Sequence, residues 1–204
     1  MTVSLLGVPS FGANCYFIQS GSVALVVDPS HSADAILAEA ERLGVTVTGI
    51  LLTHGHFDHT SAVDTLRDRL NVPLMIHRED AVMLTDGKRD AFYDLFGREN
   101  HHRPAELLLE DGQHIPLGGE SVCVLHTPGH TRGSVCFLCG EFLITGDTLF
   151  ADNVGRCDLW GGSAAALSSS LACLGRLSPH LTILPGHGQP SDLGMALEQA
   201  ALWF

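Results

Sequence analysis

Positive charge is scarce in this sequence. Lysine and arginine together number 11 against 23 aspartate and glutamate residues, Lys88 is the single lysine, and the formal net charge is −12. Nucleic-acid backbones and anionic membrane surfaces attract proteins through clustered basic side chains. The composition therefore excludes nucleic acid and membrane surfaces as the main partners.

Long apolar runs are also missing. No run approaches the roughly 18 residues that a membrane-spanning helix needs. The first residues, Met1 to Leu5, lack the positive charge of a secretory signal. We therefore expect a cytoplasmic chain without a membrane span.

Cysteine is too sparse for a disulfide-stapled fold. The six cysteines lie mostly in apolar context, and reduced thiols are the expected state. Cys136 and Cys139 form a Cys-x-x-Cys pair inside an apolar strand. Because an odd spacing on a strand sends two side chains to opposite faces, we predict that these thiols belong to the core and share no metal.

The sequence does contain enough apolar material for a buried core. Hydrophobic residues make up 45% and charged residues 17% of the chain, which excludes a disordered protein. Several strands followed by helices occur twice, with no linker between the two sets. This order is typical of an α+β fold in which two packed sheets carry helices on their outer faces. We expect a single domain over residues 1–204.

Apolar runs and turn residues indicate the individual elements. Three runs at the start, Val3 to Val8, Asn14 to Gln19 and Val23 to Val27, predict an antiparallel meander. Ser32 is the predicted N-cap of the first helix. Residues 86–105 are polar and weakly patterned, which predicts a surface excursion and a candidate rim for a substrate site.

Histidine is abundant, with 12 residues, and one group of them stands out. The apolar strand Gly49 to Leu52 is followed by His54-Gly55-His56-Phe57-Asp58-His59. Three imidazoles and one carboxylate at a strand end supply the ligands that a transition metal needs. A helix after the motif would turn Asp58 and His59 toward a site beside the one served by His54 and His56, so the motif is compatible with two metals.

Three later segments repeat this placement of a ligand after a strand. His130 follows one apolar strand, Asp147 follows the strand Phe142 to Ile144, and His187 follows the strand Leu181 to Leu184. Each is a weak signal alone, since histidine and aspartate are common in glycine-containing loops. Together with the first motif they predict one metal centre built from several strand ends.

The ordered set of these residues resembles the metallo-β-lactamase-fold hydrolases across nearly the whole chain. Within that superfamily, Asn14-Cys15-Tyr16, Val27-Asp28-Pro29 and Gly146-Asp147-Thr148-Leu149-Phe150 are similar to the glyoxalase II group, the hydroxyacylglutathione hydrolases. Gly155-Arg156-Cys157-Asp158 resembles its short, single-domain branch. The resemblance implies a four-layer αββα sandwich of two mixed sheets, with a metal site at one edge.

The resemblance also implies a ligand set for two divalent metal ions. Zinc is the first expectation, and histidine and carboxylate ligands suit iron and manganese as well. One ion would be held by His54, His56 and His130, the second by Asp58, His59 and His187, and Asp147 would bridge them.

The expected activity is hydrolysis of a thioester of the hydroxyacylglutathione type by a metal-bridging hydroxide, with Asp58 as a catalytic residue that orients it. The alternatives are a mononuclear-iron persulfide dioxygenase, a lactonase or other ester hydrolase of the same fold, and a non-catalytic metal-binding domain. The first two are distinguished from the expected activity by assay. The last is disfavoured, since structural zinc sites are usually closed four-ligand sites rich in cysteine.

The substrate contacts are the least defined part of this prediction. Glyoxalase II has a C-terminal helical domain that helps bind glutathione, and the chain is expected to lack it because it ends soon after His187. Glutathione is anionic, so its binding would need local cations. Arg156 and Arg132 are the main candidates, with Arg98 and Arg103 behind them, and His77 is a candidate for the rim of the site.

Overall fold

Two six-stranded mixed sheets pack face to face in the computed structural model, which describes residues 1–6 and 12–203. The first sheet has the order β1-β2-β3-β4-β5-β6. Its first three strands are antiparallel and the later pairs are parallel. The strands are β1 (Thr2–Leu6), β2 (Cys15–Ser20), β3 (Val23–Val27), β4 (Thr46–Leu51), β5 (Leu74–His77) and β6 (Leu107–Leu109).

The second sheet is formed by the later half of the chain. Its order is β12-β11-β10-β9-β8-β7, and the pair β10–β11 is parallel whereas its other pairs are antiparallel. The strands are β7 (His114–Leu117), β8 (Glu120–His126), β9 (Val135–Cys139), β10 (Phe142–Gly146), β11 (Thr182–Pro185) and β12 (Ser191–Asp192).

Helices cover the outer faces of both sheets. α1 and α3 bury their apolar sides against the first sheet, and α6 and α7 do so against the second. The predicted αββα sandwich is therefore confirmed. No helix of the described residues is long and apolar enough to cross a membrane. The helices are α1 (Ala33–Leu43), α2 (Phe57–Thr60), α3 (Val63–Leu70), α4 (Ala81–Thr85), α5 (Phe92–Phe96), α6 (Ala164–Leu174) and α7 (Leu193–Ala200).

The central strands are continuous apolar runs because both of their faces are buried. In β2, Phe17 points toward the helices, whereas Tyr16 and Ile18 point into the core between the sheets. The same alternation separates Cys136, which packs under the helices of the second sheet, from Cys139, which packs between the sheets. The prediction that these two thiols lie on opposite faces is confirmed.

Local signals set the helix ends. The Ser32 side chain accepts a hydrogen bond from the Ala35 amide at the start of α1, as predicted, and Gly44 ends the helix in the left-handed conformation. Ser163 caps α6 in the same way, through the Ala166 amide. A side-chain oxygen at the N-cap satisfies a helix amide that would otherwise lack a partner.

Several predicted boundaries differ from the structure. The strand predicted over Val3 to Val8 is observed up to Leu6, and residues 7–8 lie outside the described part of the chain. The last helix starts at Leu193, because the two residues before it, Ser191 and Asp192, pair with β11. Within 86–105 the structure contains α5, and β6 follows this segment. Neither element was predicted, because α5 has five residues and β6 has three.

Candidate metal centre

Three histidines meet where β4 and β8 end. His54 and His56 lie in the loop after β4, and His130 lies in the loop after β8. The Nδ1 atom of His56 is 3.0 Å from Nε2 of His54 and 2.9 Å from Nε2 of His130. All three side chains are buried.

Hydrogen-bond partners fix the tautomers of two of these rings. The Nδ1 atom of His130 donates to the main-chain oxygen of Arg156 at 2.7 Å. The Nδ1 atom of His54 is 3.1 Å from Oγ1 of Thr53, a hydroxyl that donates to Asp28 and therefore accepts from His54. The Nε2 atoms of His54 and His130 are then lone-pair nitrogens aimed at His56. These two lone pairs cannot hydrogen-bond to one another, and a single proton on Nδ1 of His56 does not satisfy both, whereas a metal ion does.

A second group lies beside the first and contains Asp58, His59 and His187. Oδ2 of Asp58 is 3.2 Å from Nε2 of His187 and 3.9 Å from Nε2 of His59. Asp147 lies between the two groups, with Oδ1 3.4 Å from His59 and Oδ2 3.6 Å from His187 and 3.7 Å from His130. This is the place expected of a ligand shared by two ions.

Three buried polar atoms of the ligand residues have no hydrogen-bond partner. They are Nε2 of His56, Nε2 of His59 and Oδ1 of Asp147, and the last two face each other. Buried polar atoms are rarely left without a partner, and imidazole nitrogen with carboxylate oxygen is a donor set typical of zinc, iron and manganese. The residues present therefore fit divalent metal ions, and the structure brings together all seven ligands that the sequence predicted.

The two groups differ in charge. Burial, with the neighbouring His59 and other histidines, holds the pKa of His54 well below its usual range, and burial with His130 lowers the pKa of His56 to about 3. Burial disfavours the charged form of His59 as well, yet Asp28, Asp147 and Asp58 outweigh it and raise its pKa. His54 and His56 of the first group are therefore neutral imidazoles, whereas His59 of the second group lies among the carboxylates of Asp28, Asp58 and Asp147.

Asp28 organises both groups, and sequence reasoning assigned it no role. Its buried carboxylate accepts hydrogen bonds from Nδ1 of His59 at 2.9 Å and from the amide and hydroxyl of Thr53 at 2.8 and 2.7 Å. Thr53 in turn orients His54. Such partners fix the ring orientation of ligating histidines. The signal in the sequence was a carboxylate at the end of an apolar strand, directly before Pro29.

The loop that carries His187 is fixed by the start of β2. Asn14 donates from its side chain to the main-chain oxygens of Pro185 and Gly188, and the Tyr16 hydroxyl donates to Pro185 at 2.7 Å. A Cβ atom at Gly186 would lie 2.2 Å from Oδ1 of Asp147. Only glycine lets this loop approach Asp147 so closely. The hydrogen bonds from Asn14 and Tyr16 hold the loop in place, which explains their motif in physical terms.

An open cleft of about 730 Å³ lies next to the second group. Asp58 and His187 line it, together with Phe57 and Phe96. Phe96 belongs to α5, so the segment 86–105 reaches the site, as expected for a rim. The centre is therefore accessible from one side to a small molecule.

The family of the chain follows from comparison with known proteins. The model of the metallo-beta-lactamase superfamily matches residues 8–187. The chain belongs to this superfamily.

Two relatives support a metal-dependent hydrolase of the metallo-beta-lactamase superfamily. The chain is 35% identical to a probable metallo-hydrolase, YqgX, of Bacillus subtilis, over 89% of this chain and 87% of the relative. It is 33% identical to a probable polyketide biosynthesis zinc-dependent hydrolase, BaeB, of Bacillus velezensis, over 90% of this chain and 76% of that protein.

Solved structures show the same superfamily fold. BLEG-1, a B3 metallo-beta-lactamase, matches with a TM-score of 0.90 and 31% identity over 97% of both chains. A di-iron-bound form of TTHA1623 matches with a TM-score of 0.83 and 33% identity over 96% of this chain and 97% of that one. ETHE1 from Myxococcus xanthus matches with a TM-score of 0.79 and 25% identity over 95% and 80%, respectively.

Three of the predicted substrate contacts, the side chains of Arg156, Arg132 and His77, lie outside the metal centre of this superfamily member. The exposed guanidinium of Arg156 is paired with both carboxylate oxygens of Asp158, at 2.7 and 2.8 Å. Arg132 lies over the ring of Trp160, 5.0 Å from its centroid, and lines a separate cavity of about 590 Å³. His77 is buried and stacks on His126 at 4.0 Å. Contact of these residues with a substrate stays a prediction.

Proposed function

We propose that this chain is a hydrolase with two metal ions that cleaves a thioester of the hydroxyacylglutathione type. The observation that carries the proposal is the shared position of Asp147 between two adjacent ligand groups, beside a cleft that opens at Asp58 and His187. Zinc is the proposed metal, and the likeness to a zinc-dependent hydrolase supports it. The likeness to TTHA1623 in its di-iron-bound form supports a site for two ions and keeps iron as the second choice.

Each group of ligands has its own part in this proposal. His54, His56 and His130 would hold one ion, Asp58, His59 and His187 would hold the other, and Asp147 would be shared. When bound, such ions lower the pKa of water toward neutrality and polarise an acyl carbonyl. Asp28, through His59 and Thr53, keeps the ligand rings in orientation.

Asp58 is the proposed catalytic residue. Its side chain is about a quarter exposed toward the cleft, at 26%, so one carboxylate oxygen is free to accept a hydrogen bond from the attacking water and orient it toward the substrate. A thiolate leaves with a pKa near 8.5, judged by free cysteine. The reaction therefore needs no strong general acid, which agrees with a cleft in which Asp58 is the one carboxylate among the described lining residues.

Hydrolysis of S-lactoylglutathione by the purified protein, with metal content measured on the same sample, tests this proposal. The expected result is turnover that chelation abolishes, with about two ions per chain. Two bound ions without turnover of any thioester would overturn the thioesterase proposal. The reaction would then be sought among lactones and other esters.

Two other activities have an observation in their favour. The likeness to ETHE1 supports a persulfide dioxygenase, which would hold a single iron through two histidines and one aspartate and consume oxygen. The likeness to BLEG-1 supports ring opening of a lactone or β-lactam. Oxygen uptake with one iron per chain would favour the first, and turnover of a cyclic ester or amide alone would favour the second.

A further inference from the structure

The cleft beside the metal centre is lined by both polar and apolar residues. Asp58, His187, Ser30 and Ser61 are its polar lining, and Phe57 and Phe96 are its apolar side. Ligand sites are typically concave, mostly apolar and supplied with a few polar groups that fix the reacting part of the ligand. The arrangement matches a substrate whose reacting group lies at the metal-ligating residues Asp58 and His187 and whose remainder lies along the rings of Phe57 and Phe96.

The two rings of the apolar side, Phe57 and Phe96, belong to a cluster of three phenylalanine rings, and the third, Phe92, is not among the residues that line the cleft. Phe57 stands within the histidine motif and contacts Phe92 and Phe96 of α5, with ring centroids 5.3 and 5.8 Å apart. The rings of Phe92 and Phe96 are 4.7 Å apart. Edge-to-face contacts of this kind stabilise an aromatic cluster beyond its area of burial. The cluster therefore fixes α5 next to the metal ligands.

Phe96 is more exposed to solvent than the other two phenylalanines of the cluster. Its residue surface is 53% exposed, whereas Phe57 and Phe92 are half-buried. A single exposed ring needs no explanation, but an apolar surface inside a cavity that is also lined by metal-ligating residues marks a binding site. The exposed face of Phe96 is the part of the cluster left for a ligand to cover.

The charge of the cleft lining argues against binding of an anionic group next to Phe57 and Phe96. Among the described residues that line it, none is lysine or arginine. None of the four arginines predicted as candidates for glutathione binding lines the cleft. Arg156 pairs with Asp158, and Arg132 lies over Trp160. A carboxylate held against Phe96 would lose water without gaining a cation, which is unfavourable.

We propose that the cleft binds an uncharged, apolar acyl chain of the substrate, and that Phe96 determines the preference for this chain. The proposal rests on the proposed hydrolase function for the reacting end of the substrate. It adds that the preferred acyl part is aliphatic or aromatic and longer than the lactoyl group, which would leave the rings uncovered. S-Lactoylglutathione is then a substrate, but a poorer one than a thioester with a longer acyl chain.

Binding of straight-chain hydroxamic acids, from two to eight carbons, to the zinc-loaded protein tests the proposal without turnover. Titration calorimetry would measure the dissociation constant of each member. A fully buried methylene strengthens binding about fourfold, so we expect roughly two- to fourfold per methylene here. Phe96→Ala should weaken binding of the eight-carbon member about tenfold or more, and should leave the two-carbon member unchanged within about twofold.

Leu95→Ala is the matched control. Leu95 is on the same helix and is 58% exposed, yet it does not line the cleft, so it should leave the whole series unchanged. Phe96→Leu keeps an apolar side chain and should retain most of the chain-length dependence. Equal affinity across the series for the unchanged protein, or an equal loss for short and long members in Phe96→Ala, would overturn the proposal.

Hydrolysis of butanoyl and octanoyl thioesters of N-acetylcysteamine by the same samples separates the two proposals. Chain-length-dependent binding without any thioester hydrolysis supports the acyl site and counts against the thioesterase. Hydrolysis with chain-length-independent binding supports the thioesterase and overturns the acyl site.

Discussion

Asp28 occupies a left-handed backbone conformation, with φ of 49°, directly after β3. This conformation is rare for residues other than glycine, asparagine and aspartate, and it costs free energy that the surroundings must offset. Here three hydrogen bonds from His59 and Thr53 converge on one carboxylate. The backbone strain lies at the residue that orients ligands of both groups.

Asp28→Asn should weaken metal binding about 10- to 100-fold. Asparagine tolerates the left-handed backbone, but its amide has one acceptor oxygen, so at least one of the three donors would face an N–H group. Competition with a chromophoric chelator measures the affinity. Asp152→Asn, at an exposed carboxylate, is the control and should change nothing. Equal zinc affinity in the two variants would show that Asp28 does not orient the ligands.

Asp58→Asn tests the catalytic residue. The amide keeps an oxygen for the metal but is a poorer acceptor for the attacking water, so we expect kcat to fall about 100-fold or more with KM little changed. Metal content must be measured on the same preparation. Near-normal turnover by a metal-replete variant would contradict the role of Asp58.

Short elements such as α5 line the cleft, and short elements are the hardest to predict from sequence. The histidine motif after β4 and the ligands after β8, β10 and β11 were predictable, because each lies in a local pattern of apolar strand followed by polar loop. α5 was not, since one turn of helix at Phe92–Phe96 shows no periodicity. The role of Asp28 was also invisible, because it depends on contacts with residues 25 and 31 positions away.

Ser163→Ala tests whether α6 contributes to stability separately from the metal centre. Loss of the N-cap oxygen should lower the free energy of unfolding by about 1 kcal/mol, with metal content unchanged, because α6 packs on the outer face of the second sheet. Ser169→Ala, inside the same helix and bonded back to the Ala165 oxygen, should be neutral or slightly stabilising. Denaturant unfolding monitored by circular dichroism compares the two, and equal stability would argue against the cap.

At the scale of the whole molecule, charge and metal binding are linked. The chain carries a formal charge of −12, and three of its carboxylates, on Asp28, Asp58 and Asp147, lie within the same small region. Mutual repulsion among these groups opposes the compact state. Two divalent cations in this region would relieve that repulsion.

Removal of metal by a chelator should therefore lower the melting temperature. A ligand at 100 times its dissociation constant stabilises the folded state by about 2.7 kcal/mol, which for a chain of this size corresponds to roughly 5–10 °C. Differential scanning calorimetry with and without zinc measures the shift. Magnesium prefers all-oxygen sites and should not restore the lost stability. An identical melting temperature in chelator and zinc would contradict the prediction.

The two sheets are built from successive halves of the chain, and within residues 12–203 the backbone passes from one to the other between Leu109 and His114. Four ligands of the centre come from the first half and three from the second. Bound ions would thus tie together two halves that share a single covalent crossing. A protease cut between Leu109 and His114 would leave a nicked molecule whose halves are held together by the apolar core and by the bound ions. The two halves would then separate more readily once the metal is removed.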